Sequence, residues 1–274
     1  MSPLTVTGKE RRGRKGVAIS LLGGNEVTEV LDYGCGNGAL ALALAGEFGL
    51  TVHACDVDAD LIADLRRRHG SEVDFFALAD DDPRLPLADD SVSAVTCCDV
   101  LEHMPAAVRR AALSEFRRVL RPDGVLVVTV PHKGLLAIAD PENFKFHFPR
   151  LHRAVFSLIN GRRRYERIYG GERFGNFSAG HAFHVHFSAA ELTDLLGEAG
   201  FEVDEVRYHR LLYPLIRAAL WLSEGLVGRL PGASRLRDAC WKAYWWDAGL
   251  EPGRLANDIG VRARPRAGSG GFGG

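Results

Sequence analysis

No stretch of about 18 uncharged apolar residues occurs in the 274-residue chain, so a membrane-spanning helix is not expected. The opening MSPLTVTGKERRGRKG lacks the apolar core of a signal peptide. The five cysteines (Cys35, Cys55, Cys97, Cys98 and Cys240) are odd in number and form no Cys-x-x-Cys pair. That argues against a disulfide framework and for reduced thiols in a cytoplasmic protein. Charge of one sign is lacking as well. Lys and Arg total 34 against 35 Asp and Glu, a net charge of -1, so no basic excess points to nucleic acid. There is also no internal repeat.

What is present reads as an ordinary globular chain, 46% hydrophobic and 25% charged, long enough for one large α/β domain. Strand and helix signals alternate. Strands are expected at Val30–Tyr33, Val52–Val57, Val73–Leu78, Val92–Val100, Val125–Val130, Phe201–His209 and Ile259–Arg264. Helices are expected at Ala39–Phe48, Ala59–His69, Ala106–Leu120 and Ala189–Ala199. The last of these opens on Ser188, with Glu191 three residues on, and closes at Gly200. Arg121-Pro-Asp-Gly124 reads as a turn. The alternation predicts a doubly wound, mostly parallel sheet with helices on both faces. Residues 135–186 and 211–256 interrupt the rhythm and read as helical insertions over the carboxyl edge of that sheet. Residues 1–24 form a basic segment and helix, with the positive run Arg11, Arg12, Arg14 and Lys15 read as part of a solvated terminus, 25–265 the domain proper, and 266–274 a Gly-rich tail.

The most informative stretch is Val30-Leu-Asp-Tyr-Gly34-Cys-Gly36-Asn-Gly38. A strand runs into alternating glycines and then a helix. Glycine lets the backbone approach a ligand closely, and the helix start offers unpaired N–H groups to an anionic or polar group. Asp56 closes the second strand, where an acid accepts hydrogen bonds from both ribose hydroxyls of a nucleoside. Gly34-x-Gly36-x-x-Ala39 also satisfies the dinucleotide fingerprint, so an NAD-dependent oxidoreductase is one reading of the loop alone.

In context the chain resembles the class I S-adenosylmethionine-dependent methyltransferases. VLDYGCGNG is similar to their first motif and ACDVDADLI to their second. ALADDDPRLPLADDSVSAVTCCDVLEHMP is similar to the adenine-side loop and fourth strand, LRPDGVLVVTVP to the fifth strand, and FSAAELTDLLGEAGFEV to the helix leading into the sixth. The resemblance implies a Rossmann-like seven-stranded sheet whose last strand is antiparallel, with S-adenosyl-L-methionine as cofactor. Gly34, Gly36 and Gly38 would then pack on its methionine part, and Asp32 would orient the loop or bond the ammonium. Asp56 would hold the ribose, Val57 would pack on adenine, and Asp80 or Asp81 would accept from the adenine amino group. Cys98 and Asp99 would lie beside the methyl.

Such a reaction asks mainly for alignment in a dry pocket, plus a base where the acceptor is a hydroxyl. The Leu-Glu-His at 101–103 resembles that of quinone-biosynthesis O-methyltransferases, which makes His103 the base candidate. Asp99, Glu102 and His103 resemble a set that holds a divalent cation in relatives acting on vicinal hydroxyls, the alternative use of the same residues. His184 and His186 are candidates on the acceptor side. Arg162–Arg164 with Tyr165 reads as a solvated basic face, and Trp241, Tyr244, Trp245 and Trp246 as core packing. The aromatic group could instead face a lipid-like acceptor or a membrane surface. The expected function is methyl transfer to a small molecule, at a hydroxyl of a quinol, polyketide, glycan or lipid-like compound. The alternatives are the NAD-dependent oxidoreductase and a non-catalytic S-adenosylmethionine-binding protein.

Overall fold

A computed structural model describes residues 13–23, 26–79, 82–137, 148–169, 185–224 and 233–266. Seven strands form one sheet: β1 (Glu29–Tyr33), β2 (Thr51–Asp56), β3 (Asp74–Ala77), β4 (Val92–Cys98), β5 (Leu120–Pro131), β6 (Phe201–His209) and β7 (Asp258–Pro265). Their order is β3-β2-β1-β4-β5-β7-β6. β1 to β5 pair in parallel, and β7 lies antiparallel between β5 and β6, as expected of the last strand. The order reverses between β1 and β4. At such a switch point the connections leave to opposite faces and a crevice opens at the carboxyl ends of the strands.

Period-two alternation sends successive side chains to opposite faces, and both faces are apolar. Leu31 and Tyr33 of β1, Val95 and Cys97 of β4, and Leu126, Val128 and Val130 of β5 join one core with Leu113 and Phe116. Val30, Ala94, Val125 and Val127 point the other way, into a second core with Leu21, Leu44 and Ile62. Helices α1 (Gly13–Leu22), α2 (Ala39–Phe48) and α3 (Ala59–His69) supply the second core, and α4 (Ala106–Val119) the first. A helix at Ala189–Glu198 also covers the first core. It carries the expected capping box, with Ser188 Oγ accepting the Glu191 N–H at 3.2 Å.

Two local expectations change. Arg121–Gly124 does not end a helix–strand connection but bulges within β5. Leu120 pairs with Val92 and Val125 with Ala94, so four residues stand against the single Ser93. The bulge lets the strand start early without breaking the pairing. In addition, the basic N-terminal segment does not read as a solvated coil throughout. From Gly13 it is helical, and Ala18, Ile19, Leu21 and Leu22 are buried against the sheet.

Beyond the carboxyl edge sit two short helix pairs. Pro149–Asn160 packs on Arg162–Tyr169, with Phe156 edge-on to Tyr165 at 5.7 Å. Tyr213–Glu224 packs on Ala233–Asp247 around Ile216, Leu220 and Cys240. No described helix is long and apolar enough to cross a membrane.

Candidate active site

β1 ends at Tyr33, and the chain turns through Gly34 and Gly36, at φ 73° and 51°, before α2 begins. These two glycines are required for different reasons. A Cβ on Gly34 would stand 2.2 Å from Val100 Cγ2, so the loop must pass bare over the β4 exit. A Cβ on Gly36 would meet no protein atom within 4 Å and would project into open space. The loop is tied to β2 by three N–H donors. Gly34 and Cys35 both donate to the Cys55 carbonyl, at 2.8 and 2.9 Å, and Gly36 donates to Asp56 Oδ2 at 2.9 Å. Asp56 Oδ1 accepts from the Asp58 N–H at 3.1 Å.

Gly34 and Gly36 border a cavity of about 650 Å³. Asp32, Cys98 and Asp99 face it from the ends of β1 and β4. Lys15 faces it from α1, and Arg210, Tyr213, Tyr244 and Trp245 from beyond β6. Asp32 is 2% exposed. Its Oδ1 accepts the Thr96 hydroxyl at 2.8 Å, whereas Oδ2 completes no hydrogen bond. Burial pushes this carboxyl up to about 6, against the pull of the Thr96 hydroxyl and the Ala41 N–H. The neighbouring Cys35 thiol is also pushed up by burial, and by Asp32 and Asp56, so it stays protonated at neutral pH.

A narrower cleft opens on the other side of Gly34 and Asp99, walled by Tyr33, Asp56, Val57, Leu78, Pro83 and His103. His103 sits in the 3-10 turn Leu101–His103 directly after β4, its Nε2 3.9 Å from Oε1 of the buried Glu102. Asp99 holds a left-handed backbone at φ 58°, fixed by its N–H donating to the Thr129 carbonyl at 2.9 Å.

The structure thus brings together Asp32, Gly34, Gly36, Asp56, Val57, Cys98, Asp99 and His103 around two adjoining spaces. Gly38 is placed otherwise. It heads α2, and a Cβ there would meet Leu65 and Phe75 in the core. His186 is 7% exposed near His132 and borders neither space. Asp80, Asp81 and His184 lie outside the described residues. Among the described residues no three His, Cys, Asp or Glu side chains are grouped to hold a metal ion, so Asp99, Glu102 and His103 do not converge as a ligand set. Arg162 is exposed and paired with Glu166 at 2.8 Å, as a solvated face requires. The core-packing expectation fails for Trp241, Trp245 and Trp246, all exposed because helix Ala233–Asp247 packs inward chiefly through Cys240, Ala243 and Tyr244.

Lys15 and Arg210 are two cavity cations that sequence reasoning missed. Lys15 lay in a run read as solvated, and Arg210 had no motif around it. Its only signal was its place after a strand that ends at the carboxyl edge.

A family model described as "Methyltransferase domain" matches residues 30–124, from β1 to the β5 bulge. The chain carries a class I S-adenosylmethionine-dependent methyltransferase domain. It is 38% identical over 121 residues to the demethylmenaquinone methyltransferase of Beutenbergia cavernae, covering 44% of this chain and 48% of that one. It is 34% identical over 116 residues to the ubiquinone biosynthesis O-methyltransferase of Xanthomonas oryzae pv. oryzae, covering 40% and 46%. The chain therefore spans about half the length of the curated relatives it matches. The methyltransferase solved in complex with the Haloferax volcanii Trm112 methyltransferase activator superposes with a TM-score of 0.54 over 92% of this chain and 90% of that one, at 18% identity, and establishes the shared fold.

S-adenosyl-L-methionine is the methyl donor of this methyltransferase family. The residues present fit it. The open side of Gly36 admits close approach of a ligand backbone, and Asp32 borders the cavity as an acid suited to an ammonium. Asp56 stands at the end of β2, where an acid accepts from ribose hydroxyls, and shares its cleft with Val57 and Leu78, an apolar bed for adenine.

Proposed function

We propose that this chain methylates a hydroxyl group of a ring-bearing small molecule of the quinol or polyketide type, with S-adenosylmethionine as donor. The carrying observation is a single cavity that has the glycine loop at one end and Tyr213, Tyr244 and Trp245 at the other. Aromatic walls offer a flat acceptor large contact area at little conformational cost. Glycan and lipid-like acceptors belong to the same chemical reading, and the exposed Trp241 and Trp246 near that end favour the lipid-like one.

The cofactor supplies an activated methyl on a sulfonium, so the chain's own residues have three tasks. Asp32, Gly36 and Asp56 would hold the donor, with Cys98 and Asp99 bordering the same spaces at the β4 exit. The cavity beyond β5 and β7 orients the acceptor, and orientation can supply several kcal/mol of the barrier. His103 accepts the proton of the acceptor hydroxyl, its ring held beside the buried Glu102. Asp99, which borders both spaces, positions the hydroxyl between donor and base.

Calorimetry with S-adenosylmethionine, S-adenosylhomocysteine and NAD tests the donor. Binding of NAD in place of the other two sinks the reading in favour of an oxidoreductase. A tritiated-methyl transfer screen over quinols, polyketides and glycans, with and without EDTA, tests acceptor and metal together. Binding of the cofactor with no transfer to any acceptor would instead favour a non-catalytic binding protein.

A further inference from the structure

Arg210 has no part in the chemistry above. It is 1% exposed, yet it borders the cavity that also holds Gly34, Gly36 and Cys98. Its backbone lies in the left-handed region at φ 60°, a strained conformation for a residue that carries a Cβ. The surroundings hold it there. The Arg210 N–H donates to the Leu250 carbonyl at 3.1 Å, and its carbonyl accepts the Asn257 N–H at 2.7 Å. The next two N–H groups, of Leu211 and Leu212, donate to the buried Asp247 at 2.9 and 2.8 Å. Strain kept in place this way marks a position where the side chain's direction matters.

The guanidinium is held from behind and from one side. Its Nε is 2.9 Å from Asp258 Oδ2, an ion-pair distance, although the N–H is not aimed along that line. Its carbon stands 4.3 Å from the Tyr213 ring centroid and 5.9 Å from that of Tyr244. No described group accepts a hydrogen bond from its two terminal nitrogens. A planar fork with its outer donors unused, stacked on an aromatic ring at a cavity wall, is the geometry that recognises a carboxylate.

The position within the sheet says which partner it serves. Arg210 follows β6, the edge strand, and the order β1-β4-β5-β7-β6 puts four strand spacings, about 19 Å at the strand ends, between it and the glycine loop. Lys15, which feels the field of Asp32, is the cation nearer the donor's amino-acid end. We propose that Arg210 is a specificity residue for the acceptor, binding a carboxylate carried by a hydroxylated aromatic ring that lies against Tyr213 and Tyr244. This rests on the methyltransferase reading and narrows it to anionic aromatic acceptors.

The test is calorimetry on the full chain saturated with S-adenosylhomocysteine, using 4-hydroxybenzoate and 3,4-dihydroxybenzoate against their methyl esters. The acids are expected to bind at least about tenfold more tightly than the esters, the worth of one charge-assisted pair. Arg210→Gln removes that preference and Arg210→Lys keeps part of it, while S-adenosylhomocysteine affinity changes less than about twofold. Because a buried Asp258 deprived of the Arg210 charge can unfold the chain, the double variant Arg210→Gln with Asp258→Asn provides a neutral pair for the same comparison. Acid and ester binding alike, or neither binding, overturns the proposal. So does a loss of S-adenosylhomocysteine affinity on substituting Arg210, which would assign the residue to the donor. If wild-type protein does not bind S-adenosylhomocysteine at all, the methyltransferase reading itself fails, and the two failures are told apart in the first titration.

Discussion

Asp56 Oδ2 holds the Gly36 N–H at 2.9 Å, so the acid at the end of β2 is a clamp on the glycine loop before it is a ribose ligand. Removing it acts twice, on the loop's conformation and on the hydroxyl contacts. Asp56→Ala is expected to weaken S-adenosylhomocysteine binding by roughly 30-fold or more, since charged hydrogen bonds contribute about 1.5–3 kcal/mol each. Asp56→Asn keeps one acceptor oxygen and should fall between. Calorimetry on the two variants decides it, and equal affinity for Asp56→Ala and wild type would remove Asp56 from the site.

Gly34 and Gly36 should fail in opposite ways. At Gly36 an added methyl meets no protein atom but enters the cavity, so Gly36→Ala should cost about 1 kcal/mol of stability, from its φ of 51°, and a disproportionate share of cofactor affinity. At Gly34 the methyl would lie 2.2 Å from Val100 Cγ2, and Gly34→Ala should cost about 2–4 kcal/mol of stability. Val100→Ala removes both offending methyls and should restore part of that loss. A double-mutant cycle by denaturant unfolding gives the coupling, and strictly additive effects would refute the contact.

The fold was legible because its signals are local. Val30–Tyr33, Ala59–His69, Phe201–His209 and the Ser188–Glu191 box each carry their own periodicity or cap within ten or so residues, and their alternation implies a parallel sheet. Asp32, Gly34, Gly36 and Asp56 were legible for the same reason, as they flank one strand–turn–helix step and the end of the next strand. What could not be read is assembled over long separations. Arg210, Tyr213, Tyr244 and Trp245 share a cavity with the glycine loop only because β6 and β7 extend the sheet and the helices beside them fold back over its edge. Gly38 shows the limit from the other side: the spacing groups it with Gly34 and Gly36, but the start of α2 turns it toward Leu65 and Phe75.

The exposed face of helix Ala233–Asp247 gives a prediction about surfaces. Trp241, Trp245 and Trp246 stand 42–57% exposed among Arg235, Arg237 and Lys242. Amphipathic rings flanked by cations suit the headgroup region of an anionic bilayer. The protein should co-sediment with vesicles containing phosphatidylglycerol, less so in high salt, and Trp241→Ser with Trp246→Ser should reduce binding about tenfold or more. Recovery of all the protein in the supernatant at low salt would exclude this contact.

Asp32 supplies the pH dependence. Its carboxyl titrates near 6 in the folded chain against 3.8 as the ordinary value, because burial disfavours the charge. Between those values the unfolded chain has lost the proton and the folded chain has kept it, so this residue's contribution to stability falls as pH rises from about 4 to 6 and is flat above. The full change is about 3 kcal/mol for a wholly buried group. Asp32→Asn should therefore be more stable than wild type above pH 6, with the advantage shrinking towards pH 4. Cofactor binding should run the other way, because only the charged form attracts an ammonium. Wild-type affinity for S-adenosylhomocysteine should drop up to tenfold per unit as pH falls below 6, with proton release on binding near pH 6, whereas Asp32→Asn should bind weakly and without this dependence. Thermal melts of both proteins across pH 4–8, and calorimetry in two buffers of different ionisation enthalpy, measure each part. A difference between wild type and Asp32→Asn that does not vary with pH would show that Asp32 stays charged throughout.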